Sequence, residues 1–260
     1  MRSEIKISII GAGNLATQLG ITLFNEGYLI SQVYSRSKKN ANILSKKINA
    51  NAISDIKKLS ADASIYIIAL KDDAIEIIAK QLKLKDKIVV HTSGSIPMDI
   101  LKNCSSNFGV FYPLQTFSKI KKADFKTIPI CIEANNNTAS ITLQYFAKSI
   151  SGNVKKINSL QRKKIHLAAV FACNFSNHLY GIAEGILAKE KLSLDLLRPL
   201  IEETVNKIKD KKPGEMQTGP AIRGDKKTME AHLKLLSKDK KLQKIYKLMS
   251  ESIIHSKKNK

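Results

Sequence analysis

A doubly wound α/β sheet followed by a smaller all-helical domain is the fold predicted by this 260-residue sequence. Three observations predict it. Short apolar runs alternate with helical patterns through the first half. Those runs are near-continuous in Ile and Val, as in strands covered on both faces. After about residue 157 they give way to long helical patterns. The expected division is therefore an α/β domain over residues 1–157 and a helical domain over 158–260.

The first runs, "IKISII" (5–10) and "LISQVY" (29–34), flank an amphipathic helix from Asn14 to about Glu26, closed by Gly27 at its C-terminal cap. Further strands are read at 63–70, 87–92, 108–112 and 128–133, with a helix at 72–82. Residues 161–188 form a long apolar segment broken by Asn, Ser and His, which reads as a buried helix. A second helical pattern covers 193–210, with Ser193 as N-cap and Pro199 implying a break near Arg198. Residues 212–225 hold three glycines and two prolines and cannot be a regular helix. One or two helices follow from about Lys226 to Ile254, and the lysine-rich end is expected to fray.

Composition narrows the function classes. The net charge of +22 is large, but the lysines are spread along the chain and no aromatic–basic interleaving appears, so no nucleic-acid partner is expected. Three cysteines, Cys104, Cys131 and Cys173, lie far apart without a CxxC pair and read as buried or semi-buried thiols in a reducing compartment. No signal region precedes the first strand and no apolar stretch reaches the ~18–20 residues of a membrane helix. A soluble cytoplasmic protein is expected. The five histidines form no compact ligand pattern, and no metal site is expected.

"GAGNLATQLG" (11–20) has the order tight turn, then helix, directly after a buried-type strand. Bulk at Gly11, Gly13 or Ala16 would block a dinucleotide pyrophosphate or the packing of helix on sheet. The unpaired amides from Asn14 and Leu15 onward suit that pyrophosphate. The second strand ends in "YSRSKK" (34–39), where an NAD site commonly carries a carboxylate. Ser35, Arg36, Ser37 and Lys38 instead suit a 2′-phosphate, so NADP(H) is the expected cofactor. Ala69 and Leu70 in "ALKDD" and Ser93 and Gly94 in "HTSGS" end later strands and are expected beside the same crevice. Asp72 and Asp73 equally suit the start of the next helix.

Chemistry is expected from Asn174 and His178, four residues apart on the long helix, and from His91 at a strand end. The two helix residues would alternatively knit domains or subunits together, His91 would alternatively do local structural work, and His166 reads as structural. Gln115, Arg223 and Asp225 are expected to contact substrate, Arg223 as a clamp for an acidic one. Asp225 suits a helix cap as well.

The stretches "IGAGNLATQLG", "HTSGS", "FYPLQTFS" (111–118), "NFSNHLYGIAE" (174–184) and above all "QTGPAIRGDKKTMEAHL" (217–233) resemble the family of Rossmann-like proteins with a C-terminal domain of unknown function (DUF2520). That family is similar to the coenzyme-F420-dependent NADP oxidoreductases and, more distantly, to pyrroline-5-carboxylate reductase, ketopantoate reductase and β-hydroxyacid dehydrogenases. The resemblance implies an NADP-dependent oxidoreductase acting on a small carbonyl or imine substrate, and a homodimer formed through the helical domain. Position 170 is Val where the hydroxyacid dehydrogenase pattern has a lysine four residues before the asparagine, so the proton donor is left open. The other reading is a non-catalytic dinucleotide-binding sensor or interaction protein.

Overall fold

The computed structural model describes residues 4–258. By contacts the chain divides into two compact units, one up to His178 and the other from Leu179.

The first unit is built on one eight-stranded sheet of order β3-β2-β1-β4-β5-β6-β7-β8. Its strands are β1 (Lys6–Ile10), β2 (Leu29–Tyr34), β3 (Asn51–Ile53), β4 (Ile65–Ile68), β5 (Ile88–His91), β6 (Asn107–Pro113), β7 (Ile130–Ala134) and β8 (Val154–Lys156). The first six are parallel, as predicted. β7 instead runs antiparallel to β6, and β8 runs parallel to β7. At Gly109 the two strands approach closely: a Cβ there would lie 2.2 Å from the Glu133 carbonyl oxygen on β7.

Strand periodicity sends alternate side chains to opposite faces. Ile7 and Ile9 of β1 and Ile65 and Ile67 of β4 join one core with Leu19, Leu23, Phe111 and Phe146. Ile10, Tyr66 and Ile68 join the other with Ile75, Val89 and Leu101. The helices that cover these faces are α1 (Asn14–Asn25), α2 (Lys38–Lys47), α3 (Asp72–Ala79) and α4 (Asn137–Lys148). Each large aliphatic or aromatic side chain buried this way contributes about 1.5–3 kcal/mol relative to exposure. α1 ends as predicted, with Gly27 at φ +85° just past its last turn. α2, α4, β3 and β8 were not legible as separate elements in the sequence, because their apolar content is low or their length is three residues.

Residues 159–188 are helical throughout but differ from the single buried helix that the sequence predicts. α5 (Ser159–Ala169) passes into a π-helical segment, Val170–Phe175, and then into α6 (Ser176–Ala188). The apolar face is also open rather than buried: Leu167, Phe171 and Phe175 are 57%, 63% and 48% exposed. Cys104 and Cys131 are buried as expected, whereas Cys173 is exposed.

The second unit continues with a 3₁₀ turn at Leu194–Leu197, α7 (Arg198–Asp210), the single turn α8 (Pro220–Arg223), α9 (Lys226–Leu235) and α10 (Lys240–Lys258). Pro199 sits in the first turn of α7, so the predicted break falls at Arg198. The expected fraying concerns an end that lies partly outside the described residues. Among the described residues of this unit only Ala221 is a buried hydrophobic, and Leu196 and Leu200 are more than half exposed. No described helix is long and apolar enough to cross a membrane.

Candidate functional site

The glycine loop is fixed by backbone contacts from two neighbouring strands. Gly11 donates its N–H to the Tyr34 carbonyl at 2.8 Å, at the end of β2. Its φ is +136°, and a Cβ would fall 2.2 Å from the Ala69 carbonyl oxygen beyond β4. Both facts exclude any side chain. Gly13 differs. It is the N-cap of α1 at an ordinary φ of −78°, offers no side-chain cap, and a Cβ there would meet nothing within 4 Å. The first amides of α1 therefore face open space without a capping side chain, the arrangement that receives anions. Ala16, fully buried, takes the third position of the pattern.

A cleft of about 510 Å³ opens at this point. Of the residues expected around a cofactor, Gly13, Asn14, Ser35, Arg36, Ser37, Ala69 and Leu70 line it, and Gly11 and Leu15 do not. Two further cations, Lys71 and Lys119, also line it, and no Asp or Glu does. Ser37 caps α2 by accepting the Asn40 N–H at 3.3 Å, which turns the start of α2 toward the same region. Lys38 is the first residue of α2 and is not part of the lining. Lys119 could not be read from sequence, since tertiary structure alone brings in the loop after β6: Asn14 Nδ2 donates to the Phe117 carbonyl at 2.9 Å and Gln18 Nε2 to the Ser118 carbonyl at 2.6 Å. An uncapped helix start, an open Gly13 and a cationic rim fit a phosphate-bearing dinucleotide.

Ser93 and Gly94 lie elsewhere. The Ser93 hydroxyl accepts the N–H groups of Ser95 and Ile96 at 3.1 and 3.0 Å. A Cβ on Gly94 would come within 2.7 Å of the His166 ring, so this loop packs on α5 and does not line the cleft. His91 is fully buried with both ring nitrogens engaged: Nδ1 accepts the Ser93 N–H at 3.2 Å and Nε2 faces the Pro97 carbonyl at 3.3 Å. Burial first, and then the Arg162 charge, pull its pKa down to about 4. A neutral, saturated imidazole shapes the loop and has no nitrogen to offer a substrate.

Arg162 is 0% exposed and joins three elements. Its guanidinium bonds Glu133 on β7, the Ile96 carbonyl and the Ser159 hydroxyl, while its Nε has no partner. Ser159 also donates to Glu133, at 2.9 Å. Removing one member of such a buried pair costs about 3–5 kcal/mol, because the other charge is left uncompensated.

A second cavity of about 540 Å³ lies beyond the end of β6. It gathers Gln115 and Asn174, both expected site residues, with Tyr112, Thr116 and His166. The Tyr112 hydroxyl is 3.1 Å from His166 Nδ1, and burial pushes its pKa up to about 12. This pair was missed in the sequence because Tyr112 reads as a strand residue and His166 as structural. His178 is exposed and lines neither cavity. In the second unit, Arg223 is exposed, and Asp225 spends its carboxylate on Thr228, accepting the backbone N–H at 3.0 Å and the hydroxyl at 2.7 Å as N-cap of α9. Those bonds hold the Asp225 carboxyl below its usual range.

Strand order, glycine loop and cleft together define a Rossmann-type dinucleotide-binding protein. The sequence matches two family models: NADP oxidoreductase coenzyme F420-dependent over residues 6–94, and the domain of unknown function DUF2520 over 128–253. A solved protein of Bacteroides fragilis, BF3122, assigned as an NADP oxidoreductase, is 42% identical over 98% of this chain and 100% of its own, with a TM-score of 0.93. The chain belongs to this DUF2520 family. Protein TM1727 of Thermotoga maritima (24% identity, 94% of this chain and 98% of its own, TM-score 0.77) shares the fold. So does an imine reductase of Myxococcus stipitatus solved with NADP⁺ (13% identity, 98% and 94% covered, TM-score 0.66). No curated protein matches the chain.

Two outcomes follow from this geometry. Gly13→Val is expected to leave the unfolding temperature of the free protein within a few degrees of wild type yet weaken dinucleotide binding about tenfold or more, because the added methyls enter only the cleft; calorimetric titration beside a thermal melt checks it. For His91 the unfolded chain, with pKa near 6.5, binds the proton more readily than the folded one. The stability from its neutral form is thus complete above about pH 6.5 and is lost as pH falls toward 4, by about 3 kcal/mol in all. Urea unfolding between pH 8 and 4 is expected to show that slope, and His91→Asn to flatten it.

Proposed function

We propose that this protein is an NADPH-dependent reductase of a small carbonyl or imine compound. Its cofactor is NADP(H). The observation that carries the reading is the cleft at the start of α1, which has three cations and no carboxylate on its lining. A 2′-phosphate would be repelled by the acidic residue of an NAD site, and it gains charge-assisted hydrogen bonds from a guanidinium. The amides of Asn14 and Leu15 would receive the pyrophosphate, and Ser35 and Arg36 the 2′-phosphate. Bound NADPH supplies the hydride. The chain's own task is to hold an acceptor and give a hydrogen bond to its oxygen or nitrogen. The NADP oxidoreductase assignment of the Bacteroides fragilis relative supports the same chemistry.

The active form we propose is a homodimer. Leu167, Phe171 and Phe175 expose one apolar face of the first unit, and the helices of the second unit close no core of their own. Large apolar patches of this kind mark association surfaces.

Two measurements test these readings. Fluorescence titration is expected to give NADPH an affinity at least about tenfold above that of NADH, with Arg36→Ala erasing most of the difference; equal affinities in the wild-type protein would refute the cofactor site. Sedimentation equilibrium is expected to show twice the chain mass at micromolar concentration and a shift toward the single chain for Phe171→Glu. A wild-type protein that stays monomeric would refute the dimer.

A further inference from the structure

The second cavity contrasts in charge with the nucleotide cleft. Its twelve lining residues include no Lys, Arg, Asp or Glu, in a chain a quarter of whose residues are charged. The nearby ionic groups are already committed. Arg162 is held by Glu133 and the Ile96 carbonyl, and Asp72 accepts from Ser95. A carboxylate or ammonium ligand would meet no counter-charge on this lining. An uncharged ligand needs none.

Two of the polar groups form a pair. The Tyr112 hydroxyl and His166 Nδ1 are 3.1 Å apart, and His166 Nε2 has no hydrogen-bond partner among the described residues. With Nδ1 protonated, the imidazole donates to the Tyr112 oxygen and leaves the hydroxyl hydrogen free to point at a ligand. Gly94 allows the ring this position, since any Cβ there would strike it. Gln115 turns its Oε1 to the Thr116 amide at 2.9 Å, which leaves its own amide N–H groups as further donors. The rest of the wall is mostly aliphatic, from Leu114, Ile165 and Val170, with Cys173 and Asn174 also on it. The loop that supplies Gln115 and Thr116 continues to Lys119 on the nucleotide cleft, so one segment borders both sites.

We infer that this cavity takes an uncharged carbonyl or imine compound, its apolar body against Leu114, Ile165 and Val170 and its oxygen or nitrogen accepting a hydrogen bond from Tyr112, which His166 orients. The inference rests on the reductase reading and sharpens it: the acidic substrate suggested by Arg223 is replaced by a neutral one.

The test is binding to the full-length protein loaded with NADP⁺, with cyclohexanone as the uncharged probe and pyruvate as the anionic one. Calorimetry gives affinities, and the His166 ring resonances report the site. Cyclohexanone is expected to bind at least about tenfold more tightly than pyruvate and to shift the His166 signals. Tyr112→Phe is expected to weaken it by about threefold to tenfold, the loss of one hydrogen bond. His166→Gln gives the same direction and serves if the first variant does not fold. The inference is overturned if pyruvate binds as well as cyclohexanone, if neither binds, or if both variants bind the ketone normally. It is also overturned if the His166 signals move only with protein concentration, which would give the cavity to a second copy of the chain. NADP⁺ affinity measured on the same samples separates the two readings: ketone binding at Tyr112 without nucleotide binding would refute the reductase reading and leave the neutral ligand class standing.

Discussion

Gly11 is held between the Tyr34 carbonyl, to which it donates, and the Ala69 carbonyl, against which it has no room for a single carbon. That squeeze ties the ends of β1, β2 and β4 together, and it aims the first turn of α1 out of the sheet. The open side of Gly13, the uncapped amides and the position of Arg36 all follow from it. Further along α1 the packing is equally close: a Cβ added at Gly20 would lie 3.0 Å from the Ile9 side chain. The site is thus the by-product of a backbone contact.

A second constraint acts at the other end of the sheet. Arg162 and Glu133 are taken out of water together, an arrangement that adds little net stability but cannot lose either partner cheaply. What it provides is position. It fixes the start of α5 to β7 and to the loop after β5, where His91 holds its own turn with a neutral ring. α5 in turn presents His166 to Tyr112, and the π-helical segment that follows carries Asn174 into the same cavity. Extra-wide turns of this sort occur often at functional sites.

The two cavities divide the electrostatic labour. The net charge of +22 is a poor guide to partners when taken as a total, since most lysines are simply solvated. Its distribution is informative: cations gather where a polyanionic cofactor would lie and are missing from the cavity next along the loop. A reductase of neutral carbonyl or imine compounds needs that contrast, because a cofactor with several phosphates and a substrate with none call for opposite surroundings.

The amino-acid sequence by itself determined the parallel strands, the glycine loop and the basic end of β2, because these depend on local rules: strand period, the lack of room for a side chain at Gly11, and Arg36 standing where a carboxylate is common. It also marked Asn174, through its place on the long helix, and Gln115. Tertiary structure alone decided the rest. β7 pairs antiparallel with β6, with a close approach between Gly109 and Glu133 that no local pattern shows. Lys119 reaches the cleft only because Asn14 and Gln18 hold its loop. His91 looked like a candidate acid at a strand end, and only its saturated, buried surroundings show it to be structural. Tyr112 and His166, 54 residues apart, become a pair only in space. Local geometry is written in short stretches of residues, whereas burial and long-range hydrogen bonding exist only once the chain has closed on itself.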